Sequence, residues 1–291
     1  MTVSFCGLEL EHPIVNGSGT FDAIAAQRAF GDAVVEQFPF SAYVSKTITL
    51  RPREGNAPPR LWEASAGMVN SIGLPNKGVE AYLADDLPRY ATLPVPLITN
   101  VMGATGEELA EVTAAVGDRP EIAAIELNVS CPNVATGLDI GAVPAELAAV
   151  LRRVRPTTAK PLIVKLTPNT ADVSLCAQAA EAAGADAIAL INTLQAAPLH
   201  PTVHGARWLG GRQGGLSGPA IRVVALAQVA AVAERVALPI VGMGGVQRGR
   251  HAADLLAVGA TLVAVGTESF RDPVAGTRVA AELAQLAAVA G

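Results

Sequence analysis

Eight short runs of aliphatic and β-branched residues recur along this chain, each followed by a stretch with helical periodicity. That alternation restricts the fold more than any other feature. The runs are "IVNGS" (14–18), "AYVSKT" (42–47), "VPLITNV" (95–101), "IAAIELNV" (122–129), "LIVKL" (162–166), "AIALIN" (187–192), "LPIVGMG" (238–244) and "TLVAVG" (261–266). Between them lie Ala-rich segments such as "ADVSLCAQAAEAAGA" and "GPAIRVVALAQVAAVAERV", which read as helices. Strands alternating with helices pair in parallel. Their near-continuous apolar character requires both faces of the sheet to be covered. Eight such units in 291 residues predict a single-domain (β/α)8 TIM barrel spanning 1–291, with a doubly wound open sheet as the alternative.

Bulk composition removes several functional classes. Apolar residues make up 51% of the chain and charged ones 16%, enough apolar surface for a large core and too little charge for disorder. A net charge of -5 and 4% aromatics provide neither a basic stripe nor stacking platforms for nucleic acid. Three cysteines, Cys6, Cys131 and Cys176, are too few for a disulfide framework or a four-cysteine iron–sulfur cluster. Free thiols point to a reducing compartment, and "MTVSFCGLELEHPIV" lacks the pattern of a signal peptide. The longest uncharged run, 187–206, contains prolines, histidines and amides and does not read as a membrane span. A cytoplasmic protein is expected. Two connections, 49–78 and 193–218, are long and rich in Pro and Gly, and read as binding loops or lids.

In a barrel of this kind, chemistry belongs at the C-terminal ends of the strands. Those ends read Ser18-Gly19, Lys46-Thr47, Asn100, Asn128, Lys165, Asn192-Thr193, Gly244-Gly245 and Gly266-Thr267. Asparagine offers both a donor and an acceptor, so several converging asparagines suit a ligand with amide and carbonyl edges. Ordinary Asx turns are the plainer explanation of any one of them. "GMGGV" and "VGTESF", after the last two strands, occupy the usual phosphate site of barrels, where backbone N–H groups can approach an anion. The phosphate could belong to a substrate or to FMN.

Cys131 follows the fourth strand in "NVSCPN", a polar loop, and is a candidate base. A thiol is about 8.5 in pKa when unperturbed. Lowering it by about 1.5 units takes roughly 2 kcal/mol of electrostatic help, which Lys46 and Lys165 could supply. Cys176, on the apolar face of a helix, and Cys6 read as small buried hydrophobes. Lys165 lies in an apolar strand with no acidic residue near it in sequence. It suits either a Schiff base or stabilisation of charge on a reduced cofactor. His200 and His204 have a metal-binding spacing, but Pro201 and Gly205 place them in a loop, so no metal site is expected. His12 and His251 read as surface or turn residues.

The motifs "NVSCPN", "SKTITLRPREGNAPPR", "GMVNSIGLPNKG", "VKLTPN", "INTL", "GGLSGPA", "GMGGV" and "AVGTESF" together resemble dihydroorotate dehydrogenase of class 1. The resemblance runs in order from about Val15 to Phe270. It implies an FMN-containing barrel that oxidises dihydroorotate to orotate in pyrimidine (UMP) biosynthesis. Cys131 would be the general base at C5, while hydride leaves C6 for flavin N5. The pyrimidine-binding set would be Lys46, Asn70, Ser71, Ile72, Gly73, Leu74, Asn128, Asn133, Asn192 and Thr193. The flavin set would be Ser18, Lys46, Thr47, Asn100, Asn128, Lys165, Ile191, Gly218, Gly244, Gly245, Gly266 and Thr267. Lys165 then takes the charge-stabilising role.

"GMVNSIGLPN" looks more like the B type, in which a second subunit carrying FAD and a 2Fe–2S cluster passes electrons to NAD+. This resemblance implies a homodimer or a heterotetramer with that subunit. The A type, a homodimer reducing fumarate, is the alternative. Segments 195–213 and "FDAIAAQRAFGD" depart from the family pattern. A dihydropyrimidine dehydrogenase-like flavoprotein shares a similar "SCP" loop, and activity on dihydrouracil would separate it. A flavin-binding subunit without catalysis is a third reading, against which the retention of Cys131, Lys46 and the asparagines argues.

Overall fold

The computed structural model describes residues 2–129, 140–211 and 213–290. Its strands are β1 (Val3–Phe5), β2 (Leu8–Leu10), β3 (Ile14–Asn16), β4 (Tyr43–Val44), β5 (Leu61–Ala64), β6 (Gly67–Asn70) and β7 (Leu97–Val101). They continue with β8 (Ile122–Asn128), β9 (Leu162–Lys165), β10 (Ala187–Leu190), β11 (Leu194–Ala196), β12 (Gly214–Ser217), β13 (Ile240–Met243) and β14 (Leu262–Val265). Eight of them form one parallel sheet in the order β3-β14-β13-β10-β9-β8-β7-β4. These are the eight runs expected from the sequence, each trimmed at one or both ends, and their order is that of a (β/α)8 TIM barrel.

A side chain spans the seam between β3 and β4. Asn16 is fully buried; its Nδ2 donates to the carbonyl of Val44 and its Oδ1 accepts from the N–H of Val44, both at 2.8 Å. The amide thus supplies the pair of bonds that a ladder residue would. Ser41 adds a backbone bond to the carbonyl of Ile14 at 3.0 Å.

Inward-facing residues of the barrel run from apolar to polar along the strands. Side chains alternate between faces, so Ala124, Glu126 and Asn128 share the inner face of β8, as do Ile163 and Lys165 on β9. The lower inner layer is Val15, Val44, Ile98, Ala124, Ile163 and their neighbours, and Phe5 and Leu10 of the β1–β2 hairpin pack into the same cluster. The opposite face of each strand meets the helices in the larger outer core. Short polar residues start several helices: Asp22 accepts from Ala25 N at 3.0 Å, and Thr105 from Glu108 N at 3.2 Å.

The two long connections expected to be loops are not free of regular structure. They contribute β5, β6, β11 and β12, which form a second, antiparallel sheet in the order β11-β12-β6-β5. Met68 of β6 sits opposite Ser217 of β12, a pairing between segments far apart in sequence. This sheet stands beside the mouth of the barrel and forms part of the cavity wall.

Candidate active site

A cavity of about 820 Å³ opens at the C-terminal ends of the strands, between the barrel mouth and the antiparallel sheet. That volume is at the upper end of small-molecule sites. The structure brings nearly all of the sequence-predicted residues to it. Ser18, Lys46, Thr47, Asn128, Lys165, Ile191, Asn192 and Thr193 come from strand ends. Asn70, Ser71, Ile72, Gly73 and Leu74 come from the end of β6, and Gly218, Gly244, Gly245, Gly266 and Thr267 from the loops after β12, β13 and β14. Asn100 does not line the cavity; it lies fully buried behind the wall. Cys131 and Asn133 fall outside the described residues.

One end of the cavity is built from backbone. Gly244 and Gly245 follow β13 with φ of 136° and 67°, and Gly218 has φ of 94°. A Cβ on Gly245 would stand 2.8 Å from Cβ of Arg222 and 2.9 Å from the Gly218 carbonyl, so only glycine brings the chain this close. After β14, Gly266 leads into a single turn over Thr267–Phe270, and Thr267 Oγ1 donates to Ser217 Oγ at 2.8 Å. Arg278, on the last helix (Ala275–Ala290), ties the two loops together from behind. It donates to the Gln247 carbonyl at 2.8 Å, to Glu268 Oε1 at 3.1 Å and to Asp272 Oδ2 at 2.9 Å. Gln247 Nε2 closes the ring of contacts by donating to Glu268 Oε2 at 3.0 Å.

The other end is built from side chains. Asn128 and Lys165 are directly opposed on β8 and β9, as are Asn100 and Glu126 on β7 and β8. Lys165 is 6% exposed and Glu126 2%. Glu126 Oε1 lies 3.8 Å from Lys165 Nζ and accepts from Asn100 Nδ2. The expectation that Lys165 has no acidic neighbour therefore holds only along the sequence; across the ladder it has one. Asn128 Nδ2 donates to Thr47 Oγ1 at 3.4 Å, and Ser18 Oγ donates to the Ser45 carbonyl at 2.8 Å. Burial pulls the ammonium of Lys46 below its ordinary pKa; Asp22 partly offsets this and Arg60 adds to it.

Sequence reasoning missed several residues. Glu126 carried a signal, an acid inside an apolar strand two residues before Asn128, so on the same face. Asn56 donates to Ser71 Oγ at 3.0 Å, and Ser71 in turn donates to the Gln213 carbonyl at 2.9 Å, pinning the segment 70–74. Asn169 donates to the Thr193 carbonyl at 3.1 Å and accepts from Gln195 N at 2.9 Å, which holds β11 beside the mouth. None of these contacts has a local sequence pattern.

The remaining candidates lie away from the cavity lining. Cys176 is fully buried in the helix Val173–Ala182, and burial pushes the Cys6 thiol up to about 11. Neither thiol is poised to ionise. His200 sits in a loop, where its Nδ1 accepts from Val203 N at 3.1 Å. His12 and His251, expected at the surface or in turns, are partly buried, His12 in a bend and His251 in the helix Gly249–Ala257, and each Nδ1 accepts a backbone N–H, from Ile14 and Gln247 respectively.

The arrangement suits a ligand with a flat polar ring at one end and an anionic group at the other. Residues 1–287 match the family model described as dihydroorotate dehydrogenase. A relative in Desulforudis audaxviator, named dihydroorotate dehydrogenase B (NAD(+)), catalytic subunit, is 45% identical over 97% of this chain and 91% of its own. One of the same name in Citrifermentans bemidjiense is 42% identical over 98% and 92%. Another in Solibacter usitatus, provisionally named dihydroorotate dehydrogenase A (fumarate), is 40% identical over 97% and 92%. A barrel with its cavity at the strand ends, matched over almost its whole length, belongs to the dihydroorotate dehydrogenase family.

Proposed function

We propose that this chain, acting as one FMN-binding barrel domain, oxidises (S)-dihydroorotate to orotate in the cytoplasm, in de novo pyrimidine (UMP) biosynthesis. The observation that carries the reading is the two-ended cavity, with Lys46, Lys165 and several asparagines at one end and Gly244, Gly245 and Gly266 at the other. The residues at both ends fit FMN: the bare backbone of Gly244, Gly245 and Gly266 would hold its phosphate, and the buried donors and acceptors at the other end would hold its ring. A cradle free of Cβ atoms supports the fit: a Cβ on Gly244 would stand 2.7 Å from Cβ of Ala225, and one on Gly245 2.8 Å from Cβ of Arg222.

Cys131 is the proposed general base. It takes the proton from C5 of dihydroorotate as the C5=C6 double bond forms. FMN, when bound, accepts the hydride that leaves C6. Lys165 and Lys46 offset negative charge at the ring end, where low dielectric strengthens each contact. Asn70, Asn128, Asn133, Asn192 and Thr193 orient the pyrimidine by matching its alternating N–H and C=O edges. The segment 71–74 lines the cavity beside them.

Electrons then pass to NAD+ through a second subunit carrying FAD and a 2Fe–2S cluster, with the barrel chain as a dimer inside a heterotetramer. The B-type names of most of the relatives compared support this; the A-type relative in Solibacter usitatus makes fumarate the acceptor to exclude. Among the described residues no helix is long and apolar enough to cross a membrane.

The test is anaerobic addition of L-dihydroorotate to the FMN-loaded protein. Bleaching of the flavin absorbance is expected, with Cys131→Ala slowing it by about 100-fold or more while flavin stays bound. A flavin that does not bleach in the unaltered protein overturns the reading, and an undiminished rate in Cys131→Ala removes the base from its role. Fumarate turnover by the barrel chain alone would replace the NAD+ assignment with the A type.

A further inference from the structure

Glu126 sits where a carboxylate is costly. It occupies the inner face of β8 directly above Ala124, in a barrel whose lower layer is entirely apolar, and it is 2% exposed. An aliphatic side chain would satisfy packing there without the loss of hydration. Two contacts account for the acid. Asn100 Nδ2 donates to Glu126 Oε1, and Lys165 Nζ lies 3.8 Å from that same oxygen. The first contact decides which way the Asn100 amide faces, since its nitrogen is committed to the acid. Its Oδ1 is thereby left as the free end, buried and without a partner among the described residues. The second gives Lys165 a counter-charge beneath the cavity floor.

We propose that Glu126 is a positioning residue: it orients the Asn100 acceptor and partly neutralises Lys165, and so holds down the electron affinity of the flavin that Lys165 faces. The inference rests on the reading of the cavity as an FMN site. Its physical basis is charge balance. Hydride transfer adds negative charge to the ring end, and Lys165 favours that charge. A carboxylate beside Lys165 opposes it, more strongly in a dry interior than in water. Removing the carboxylate charge while keeping an acceptor for Asn100 therefore favours the reduced flavin.

Glu126→Gln is that change. Its FMN reduction potential, measured by dye-equilibrated reductive titration of the loaded protein, is expected to rise. The preference for reduced over oxidised FMN should grow at least tenfold, or about 30 mV for a two-electron couple. Glu126→Asp retains the charge and withdraws it by one methylene, so its potential should lie between the two. It also serves if the Gln variant does not fold. In a Lys165→Met background the Glu126→Gln shift should shrink, because the acid acts through the lysine. If the wild type and Glu126→Gln share one potential, or the shift survives intact without Lys165, the proposal is wrong even though FMN binds. A wild-type protein that cannot be loaded with FMN overturns the cavity reading and this inference with it.

Discussion

The two ends of the cavity are built from different materials. Around β13 and β14 the wall is largely main chain, with glycine at 218, 244, 245 and 266, and its support is set behind it, on Arg278, which holds Glu268 and the Gln247 carbonyl. Around β4, β8 and β9 the wall is side chain, with Lys46, Thr47, Asn128 and Lys165 reaching inward from strand ends. A backbone wall demands only the absence of Cβ atoms and recognises little beyond negative charge. A side-chain wall recognises a pattern of edges, but every polar group in it must be desolvated and partnered, which costs folding free energy. The first end should therefore fail sharply when crowded and the second should respond in graded steps.

The largest effect is expected from Gly245→Ala. A left-handed φ of 67° costs an alanine roughly 1–2 kcal/mol. The new methyl would also stand 2.9 Å from the Gly218 carbonyl, so the loops after β12 and β13 have to part. FMN affinity should fall by more than about 100-fold, or about 2.8 kcal/mol, in a titration of flavin fluorescence quenching. A dissociation constant within threefold of the wild type would show that this wall is not where the anionic end sits.

Arg278→Ala attacks the same wall from behind and should do less. The guanidinium is partly exposed, so its ion pairs with Asp272 and Glu282 are discounted for solvent screening. The bonds to the Gln247 carbonyl and to Glu268 matter more, because they join the loop after β13 to the loop after β14. A loss of about tenfold in FMN affinity is expected, or about 1.4 kcal/mol. Turnover at saturating FMN should be unchanged. Arg278→Lys keeps the charge without the fork and should recover only part of the affinity; full recovery would mean that charge alone is at work.

The same contrast explains how much of the molecule is legible in its sequence. Eight apolar β-runs announce the barrel because a strand covered on both faces needs no partner information to be recognised. The glycines of the backbone wall are legible for a similar reason, as local pairs in sequence. The antiparallel sheet is not: β11 and β12 are three and four residues long, β12 begins with two glycines, and the pairing of β12 with β6 spans the chain from Ser217 to Met68. Asn16 at the seam and Glu126 beneath Lys165 stay hidden because a buried amide or acid takes its meaning from the neighbouring strand. The family resemblance puts Asn100 in the cofactor set, but its side chain lies one layer deeper, against Glu126.

The smallest effect is also the most direct measure of what the side-chain wall costs. Burial lowers the pKa of Lys46, with Asp22 opposing and Arg60 reinforcing. The unfolded chain keeps the ordinary value, so between the two values the unfolded state binds more protons and stability rises with pH. Below the folded value the penalty for burying the charge is fully present. Lys46→Met removes it. Flavin-free protein at pH 7 should therefore melt slightly higher than the wild type, by about 1–2 °C for a change near 0.5 kcal/mol. The advantage should vanish as pH approaches about 10.4, the value of an unperturbed lysine. The same variant should bind dihydroorotate poorly, since Lys46 lines the cavity. Scanning calorimetry across pH separates the alternatives: a lower melting temperature at pH 7 would mean that Lys46 stabilises the fold. A difference that ignores pH would assign the effect to packing by the methionine rather than to the missing charge.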